Sequence, residues 1–182
     1  MKIKNPFKRQ STSAFQTIIV SFLCIILVGT LLLLLPFATK EGNTTTFFDA
    51  LFTSVSATCV TGLIVKDTAT HWTVFGQAVI LMLIQIGGMG VITISVGLVG
   101  LTGKKIGLRE RSIMQESISA PQLGGIVRFT SFIIRTVLFI ELIGAILLLP
   151  VFCKEFGAVG IWYAVFHSVS AFCNAGFDLM GV

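Results

Sequence analysis

The sequence predicts an all-α integral membrane protein built from a repeated unit: a span, a short helix that re-enters without crossing, an extended turn, and a second span. Three observations predict it. First, 54 % of the 182 residues are apolar and only 12 % are charged, with a mean hydropathy of +0.95. Soluble domains carry about 25 % charged residues, so these charges are too few to cover a water-facing surface. Second, three apolar segments reach the roughly 20 residues that a bilayer crossing needs. Third, the chain aligns with itself at one fixed offset. The same composition excludes disorder, collagen-like repeats and small disulfide scaffolds.

The first span reads as Thr17–Ala38, 22 residues without a charge. It follows a basic segment, residues 1–16. A cleaved signal has a shorter apolar run, about 7–15 residues, and a small-residue cleavage site; neither fits, so the segment reads as a retained anchor. The second span, Trp72–Gly100, has 29 uncharged residues. At 1.5 Å per residue it is about 43 Å long, so it must tilt, kink or protrude. The third, Ile126–Leu149, carries Arg128, Arg135 and Glu141.

Basic residues set the orientation. Lys2, Lys4, Lys8 and Arg9 precede the first span, and Lys104, Lys105, Arg109 and Arg111 follow the second. The opposite loops hold only Lys40, Lys66 and Lys154. The N-terminus and the basic loop 104–125 therefore face the cytoplasm in a multi-pass chain. This accounts for most of the net charge of +5 without nucleic acid. The Lys104–Gln122 stretch reads as a topology signal, or as a contact for anionic lipid or a cytosolic partner.

Two apolar stretches, 46–57 and 161–171, are too short to cross and read as re-entrant helices on the outer side. Thr46 and Asp49 form a Thr-x-x-Asp cap ahead of the first. The negative end of that helix then points inward, where a cation would sit. The second stretch lacks the cap.

The repeat has an offset of 114: Pro36 falls on Pro150, Lys40 on Lys154 and Glu41 on Glu155. Ala50–Gly62 and Ala164–Gly176 share eight of thirteen residues, among them Cys59/Cys173 and Gly62/Gly176. The first pore unit is residues 17–103. The second, 126–182, stops before its second span. The expectation is a fragment or a truncated product.

After each short helix comes an extended turn, Thr58–Gly62 and Phe172–Gly176. Non-helical backbone at membrane depth is tolerated only inside protein or along a water-filled cavity. Its carbonyl oxygens can replace the hydration shell of a potassium ion, and a glycine with φ > 0 aligns successive carbonyls. Backbone chemistry also explains why side chains drift between the two copies. Candidate filter residues are Thr58, Cys59, Val60, Thr61 and Gly62, then Phe172, Cys173, Asn174, Ala175 and Gly176.

Other features carry less. Gly87-Gly88-Met89-Gly90 reads as small-residue helix packing in preference to a pore-lining kink. Arg135 sits near enough to the cytoplasmic edge to snorkel. Glu141 is deeper; it reads as a structural pairing partner in preference to an ion-path charge. Asp178 reads as an outer-mouth acid that concentrates cations or an ordinary loop acid. His71 reads as an interfacial residue beside an aromatic anchor, Trp72. The adjacent His167 and Ser168 point to different helix faces, which argues against an intramembrane hydrolase; the chain reads as no enzyme. Cys24, Cys59, Cys153 and Cys173 have no metal-ligand spacing and read as small, buried and reduced, with a disulfide at Cys153 left open.

Together, TSVSATCVTGL (53–63), LIQIGGMGVIT (83–93) and HSVSAFCNAGFDLMG (167–181) resemble the Trk/Ktr/HKT superfamily of potassium transporters, closest to the bacterial Ktr-type membrane subunit. The resemblance implies a pseudo-fourfold, potassium-channel-like pore of four units, each lending one glycine-bearing filter loop. It implies potassium uptake at the cell membrane, with no covalent cofactor, potassium as substrate and, in some members, sodium as coupling ion. It also implies a homodimer of the full-length subunit and a cytoplasmic nucleotide-binding regulatory subunit. The chain departs from the pattern by ending after 1.6 units, without the third and fourth filter segments or the gating loop of the third unit. The alternative reading is a non-conducting fragment that at most associates with full-length subunits.

Overall fold

The structure is a computed structural model that describes residues 14–90 and 126–181. The expectations for the basic N-terminal segment, for residues 91–100 of the second span and for the basic loop 104–125 lie outside them. The described residues are helical with no strand, as the all-α class requires.

Helix α1, Ala14–Leu33, is 20 residues long, about 30 Å at 1.5 Å per residue. Its apolar run continues to Ala38, but the helix stops earlier. Pro36 cannot donate to a helical carbonyl, and the chain turns, with the Ala38 N–H donating to the Leu35 carbonyl at 2.9 Å. Thr39 then forms an isolated antiparallel bridge with Trp72. The Lys40 N–H donates to the His71 carbonyl, and the Thr73 N–H to the Ala38 carbonyl, both at 3.0 Å. This bridge ties the end of α1 to the segment around Trp72 that leads into the next long helix.

Helix α2, Phe47–Thr58, opens on the capping box that its sequence encodes. The Asp49 N–H donates to Thr46 Oγ1 at 3.2 Å, and the Thr46 N–H donates to Asp49 Oδ2 at 3.1 Å. Hydrogen bonding to the carboxyl from the Thr46 backbone N–H, and then from the Thr46 side chain, holds Asp49 below its ordinary range. Ser54 Oγ donates to the Ile26 carbonyl of α1 at 2.8 Å, which sets α2 against the first helix. A four-residue helix, α3 (Thr68–His71), is capped by Asp67, and α4 (Val74–Met89) by Thr73. Helix α4 ends at Gly90, whose φ of +81° lies in the left-handed region.

Helix α5, Ile126–Phe156, runs 31 residues and carries Pro150 inside it. It passes beyond the expected end at Leu149, because one missing N–H kinks a helix without obliging it to stop. A 3₁₀ turn, Gly157–Val159, reverses the chain into α6, Gly160–Phe172. Helix α6 folds back along α5. The Phe152 and His167 rings stack at 4.8 Å, and Ser168 Oγ donates to the Glu141 carbonyl at 2.6 Å. Within the helical stretch Arg128–Phe172, which includes this reversal, an 18-residue window reaches a mean hydropathy of 2.5, apolar enough to cross a membrane. The apolar helices Ile18–Leu33 and Val74–Met89 are shorter.

The core lies where α1, α2, α4, α6 and the segment after α6 meet. Leu33, Trp72, Ile80, Ile84, Phe166 and Leu179 are its largest buried side chains. Gln77 is its polar hub. Its Nε2 donates to the Thr68 and Trp72 carbonyls, both at 3.2 Å, and its Oε1 accepts from Trp162 Nε1 of α6 at 2.9 Å. Buried polar atoms need such partners, and these join the first half of the chain to the second.

Two expectations are corrected. Trp72 is not an interfacial anchor. It is fully buried, and His71 beside it is buried too, with Nε2 2.9 Å from Thr45 Oγ1. The backbone bridge at Thr39–Trp72 draws both rings inward. The cysteines are free but not buried: Cys24 and Cys59 are exposed, Cys153 and Cys173 half-buried. Cys24 lies on α1, which also turns Leu23, Leu27 and Leu31 outward. A span facing lipid needs no protein cover for its apolar residues.

Candidate functional site

The ends of α2 and α6 are built alike. The Cys59 N–H donates to the Val55 carbonyl (2.8 Å), Val60 N–H to Ala57 (3.2 Å), and Thr61 N–H to Ser56 (2.9 Å). At the matching positions Cys173 donates to Val169 (2.9 Å), Asn174 to Ala171 (3.0 Å), and Ala175 to Ser170 (2.8 Å). This is the Schellman pattern, in which a left-handed residue closes the helix and the last carbonyls are satisfied. The closing residue is usually glycine. Here it is Val60, with φ +56°, and Asn174, with φ +55°. Asn tolerates this region, whereas for a β-branched residue it is a genuine outlier. Two residues later Gly62 and Gly176 are also left-handed, with φ of +75° and +72°.

The two loops touch at those glycines. A Cβ placed on Gly62 would lie 2.6 Å from the Ala175 carbonyl oxygen and 3.2 Å from Gly176 Cα. A Cβ on Gly176 would lie 3.3 Å from Gly62 Cα. The C-terminal ends of α2 and α6, with the negative ends of their dipoles, therefore converge on one place.

Helix α4 backs both loops. A Cβ on Gly87 would collide with the Thr58 carbonyl, and one on Gly88 with the Cys173 side chain. The glycine cluster thus packs helix against loop, and bulkier residues would hold the loops off. Thr58 is buried, and its Oγ1 finds no hydrogen-bond partner among the described residues. Thr61 and Asn174 are exposed, Val60 and Gly62 half-buried, and Ala175 buried.

The loops are braced differently behind the backbone. In the first, Thr61 Oγ1 donates to Ser56 Oγ at 2.9 Å. In the second, Ser170 Oγ donates to the Phe177 carbonyl at 2.6 Å. His167 has its Nδ1 2.8 Å from the Tyr163 carbonyl, and the Leu179 N–H donates to its Nε2 at 3.3 Å. His167 and Ser168 have separate partners and form no catalytic pair.

The candidate charges separate. Glu141 is buried, and Gln85 Nε2 of α4 donates to both its carboxyl oxygens, at 2.9 and 3.0 Å. Its partner is the amide of Gln85 on the neighbouring helix, a structural pairing. Arg135 is exposed on α5. Asp178 is exposed and accepts from the Met180 N–H at 2.9 Å, which ties its carboxylate into its own turn. Sequence reasoning misses Gln77, Gln85 and Trp162. Two glutamines inside an apolar run were the available signal, because a buried amide demands partners.

Fold and loops define a class: a helical membrane protein whose specialised feature is shaped backbone, with no catalytic array among the described residues. Residues 2–181 match the TrkH family, described as cation transport protein, and the chain belongs to that family. It is 43 % identical over 182 residues to the potassium/sodium uptake protein NtpJ of Enterococcus hirae, covering all of this chain and 40 % of that protein. It is 44 % identical over 165 residues to the Ktr system potassium uptake protein B of Bacillus subtilis, covering 90 % of this chain and 37 % of the relative. The Ktr system potassium uptake protein D of Bacillus subtilis is 35 % identical over 183 residues. The chain spans about two-fifths of the length of these relatives. It therefore belongs to a family of transporters, not of enzymes.

Proposed function

We propose that this chain supplies the first pore unit and part of the second in a potassium-uptake membrane subunit, with Thr58–Gly62 and Phe172–Gly176 as two selectivity-filter segments. The supporting observation is the pairing of the loops. At an offset of 114 they share three backbone hydrogen bonds and two left-handed residues, and they meet at Gly62 and Gly176. In this reading α1 and α4 are spans, α2 and α6 are pore helices, and α5 is the first span of the second unit. Carbonyls of the two segments, joined by two more from the remainder of a full-length subunit, replace the hydration shell of the ion. The potassium and sodium in the names of the relatives support potassium as substrate, with sodium as a second cation.

Orientation follows the basic residues, with the N-terminus cytoplasmic and the chain multi-pass in the cell membrane. A cytoplasmic regulatory subunit and a homodimer of the full-length subunit complete the system, in line with the Ktr system names of the relatives. The test is a chimera in which residues 1–182 replace the matching part of the Bacillus subtilis relative. The chimera is expressed in cells deficient in potassium uptake. Rubidium uptake that Gly62→Asp abolishes, at unchanged membrane abundance, supports the filter. Uptake insensitive to Gly62→Asp overturns it.

A further inference from the structure

The side chain immediately before the shared Ser-Val-Ser-Ala motif differs between the two halves: Thr53 in α2, His167 in α6. Both make the same local bond. Thr53 Oγ1 donates to the Asp49 carbonyl one turn back at 2.8 Å, and His167 Nδ1 lies 2.8 Å from the Tyr163 carbonyl. Asp49 and Tyr163 are themselves related by the offset of 114. Only the histidine reaches further. Its Nε2 accepts from the Leu179 N–H at 3.3 Å, three residues past Gly176.

These two bonds fix the state of the ring. A carbonyl can only accept, so Nδ1 carries the proton; an amide N–H can only donate, so Nε2 is bare. Phe152 of α5 stacks on the imidazole at 4.8 Å and sets its plane. The segment it holds is otherwise tied by Ser170 Oγ to the Phe177 carbonyl and by the buried Leu179 side chain. Gly176 is therefore clamped from both sides: the helix end before it, and the His167 tie after it.

We infer that His167 is a positioning residue for the second filter segment, acting through its Nε2 bond to the Leu179 N–H to set the backbone at Gly176 and so the cation preference of the pore. This rests on the filter reading above. Its consequence is an asymmetry: the second segment is braced from its pore helix across the glycine, and the first, with Thr53 in that place, is not.

The test uses the chimera with three substitutions and Gly62→Asp as the control for the filter itself. His167→Gln keeps an acceptor near Nε2. His167→Phe keeps the stack on Phe152 and removes both bonds. His167→Thr keeps only the bond to the Tyr163 carbonyl. The expected result is that His167→Phe and His167→Thr raise the rubidium KM several-fold and lower the rubidium-over-sodium ratio, while His167→Gln stays near the parent. Retention by His167→Phe with loss in His167→Gln would make the residue a packing element and overturn the inference. Parent-like KM and selectivity in His167→Thr would also overturn it. In either case a chimera still abolished by Gly62→Asp leaves the filter reading standing.

Discussion

Gly62 and Gly176, 114 residues apart, lie against one another with matching left-handed backbones, φ +75° and +72°. A side chain at either would have to adopt a backbone conformation that L residues rarely take. The two glycines answer to different local demands, however. The neighbour nearest to Gly62 is a carbonyl oxygen, at 2.6 Å from the Cβ position, and the nearest to Gly176 is a Cα at 3.3 Å.

That difference grades a pair of substitutions. Alanine in the left-handed region costs about 1–2 kcal/mol at either site. At Gly62 the added methyl must also displace the Ala175 carbonyl of the opposite loop. Gly62→Ala is expected to cut rubidium uptake by the chimera at least tenfold, and Gly176→Ala by less. Uptake and membrane abundance are measured together. Equal, mild effects would contradict the contact.

Asn174 closes α6 with φ +55° and is exposed, so its side chain contributes little by packing. Asn174→Val should therefore report backbone strain almost alone, about 1–2 kcal/mol of lost stability. Asn174→Gly should be near neutral. Thermal unfolding in detergent separates them: a lower Tm for valine only.

The Gln85–Glu141 bond joins α4 to α5 within the apolar interior. Gln85→Leu strands the carboxyl and should cost about 1–3 kcal/mol, the range for a buried polar group left without its partner. Glu141→Gln keeps an amide partner for Gln85 and should be tolerated. The double change Gln85→Leu/Glu141→Leu should recover part of the loss, because no polar group is left buried alone. Tm values of the three variants test this, and a double variant no more stable than Gln85→Leu would contradict it.

His71 carries a pH dependence. Burial, and then the Lys66 charge, depress its pKa, with Asp49 opposing. The folded state thus prefers the neutral ring, and the unfolded chain takes up a proton first as pH falls. Stability is fully present above about pH 6.5, the ordinary histidine value, and is lost as pH falls from there toward the depressed folded value. Trp72 packs 4.9 Å from the ring, so its fluorescence reports the unfolding. The Tm of the parent should fall between pH 7.5 and 5.5. His71→Gln, which keeps a polar partner for Thr45 without titrating there, should respond less.

Much of this fold was legible because it rests on local chemistry. The Thr46/Asp49 capping box needs only four consecutive residues and forms as read. Gly62 adopts the left-handed backbone asked of it. The errors fell where distant segments meet. Trp72 beside His71 reads as an interfacial pair until the bridge to Thr39 draws both inward. The third span is read to end at Leu149, and α5 runs on through Pro150 to Phe156, with α6 folded back along it. Glu141 asks for a partner, and nothing local says that the partner is Gln85, 56 residues earlier.

The amino-acid order by itself determined the class and the periodicity. Apolar excess, uncharged runs and the repeated Ser-Val-Ser-Ala-x-Cys-x-x-Gly pattern are properties of short windows, and hydrophobicity and backbone preference act over short windows. Only the tertiary structure decided that the two glycine turns share one place, that Gly87 and Gly88 back them, and that His167 reaches past its own loop to Leu179. Those relations depend on how helices dock. Docking is set by the sum of many weak contacts between residues far apart in the chain, and no single stretch of sequence holds that sum.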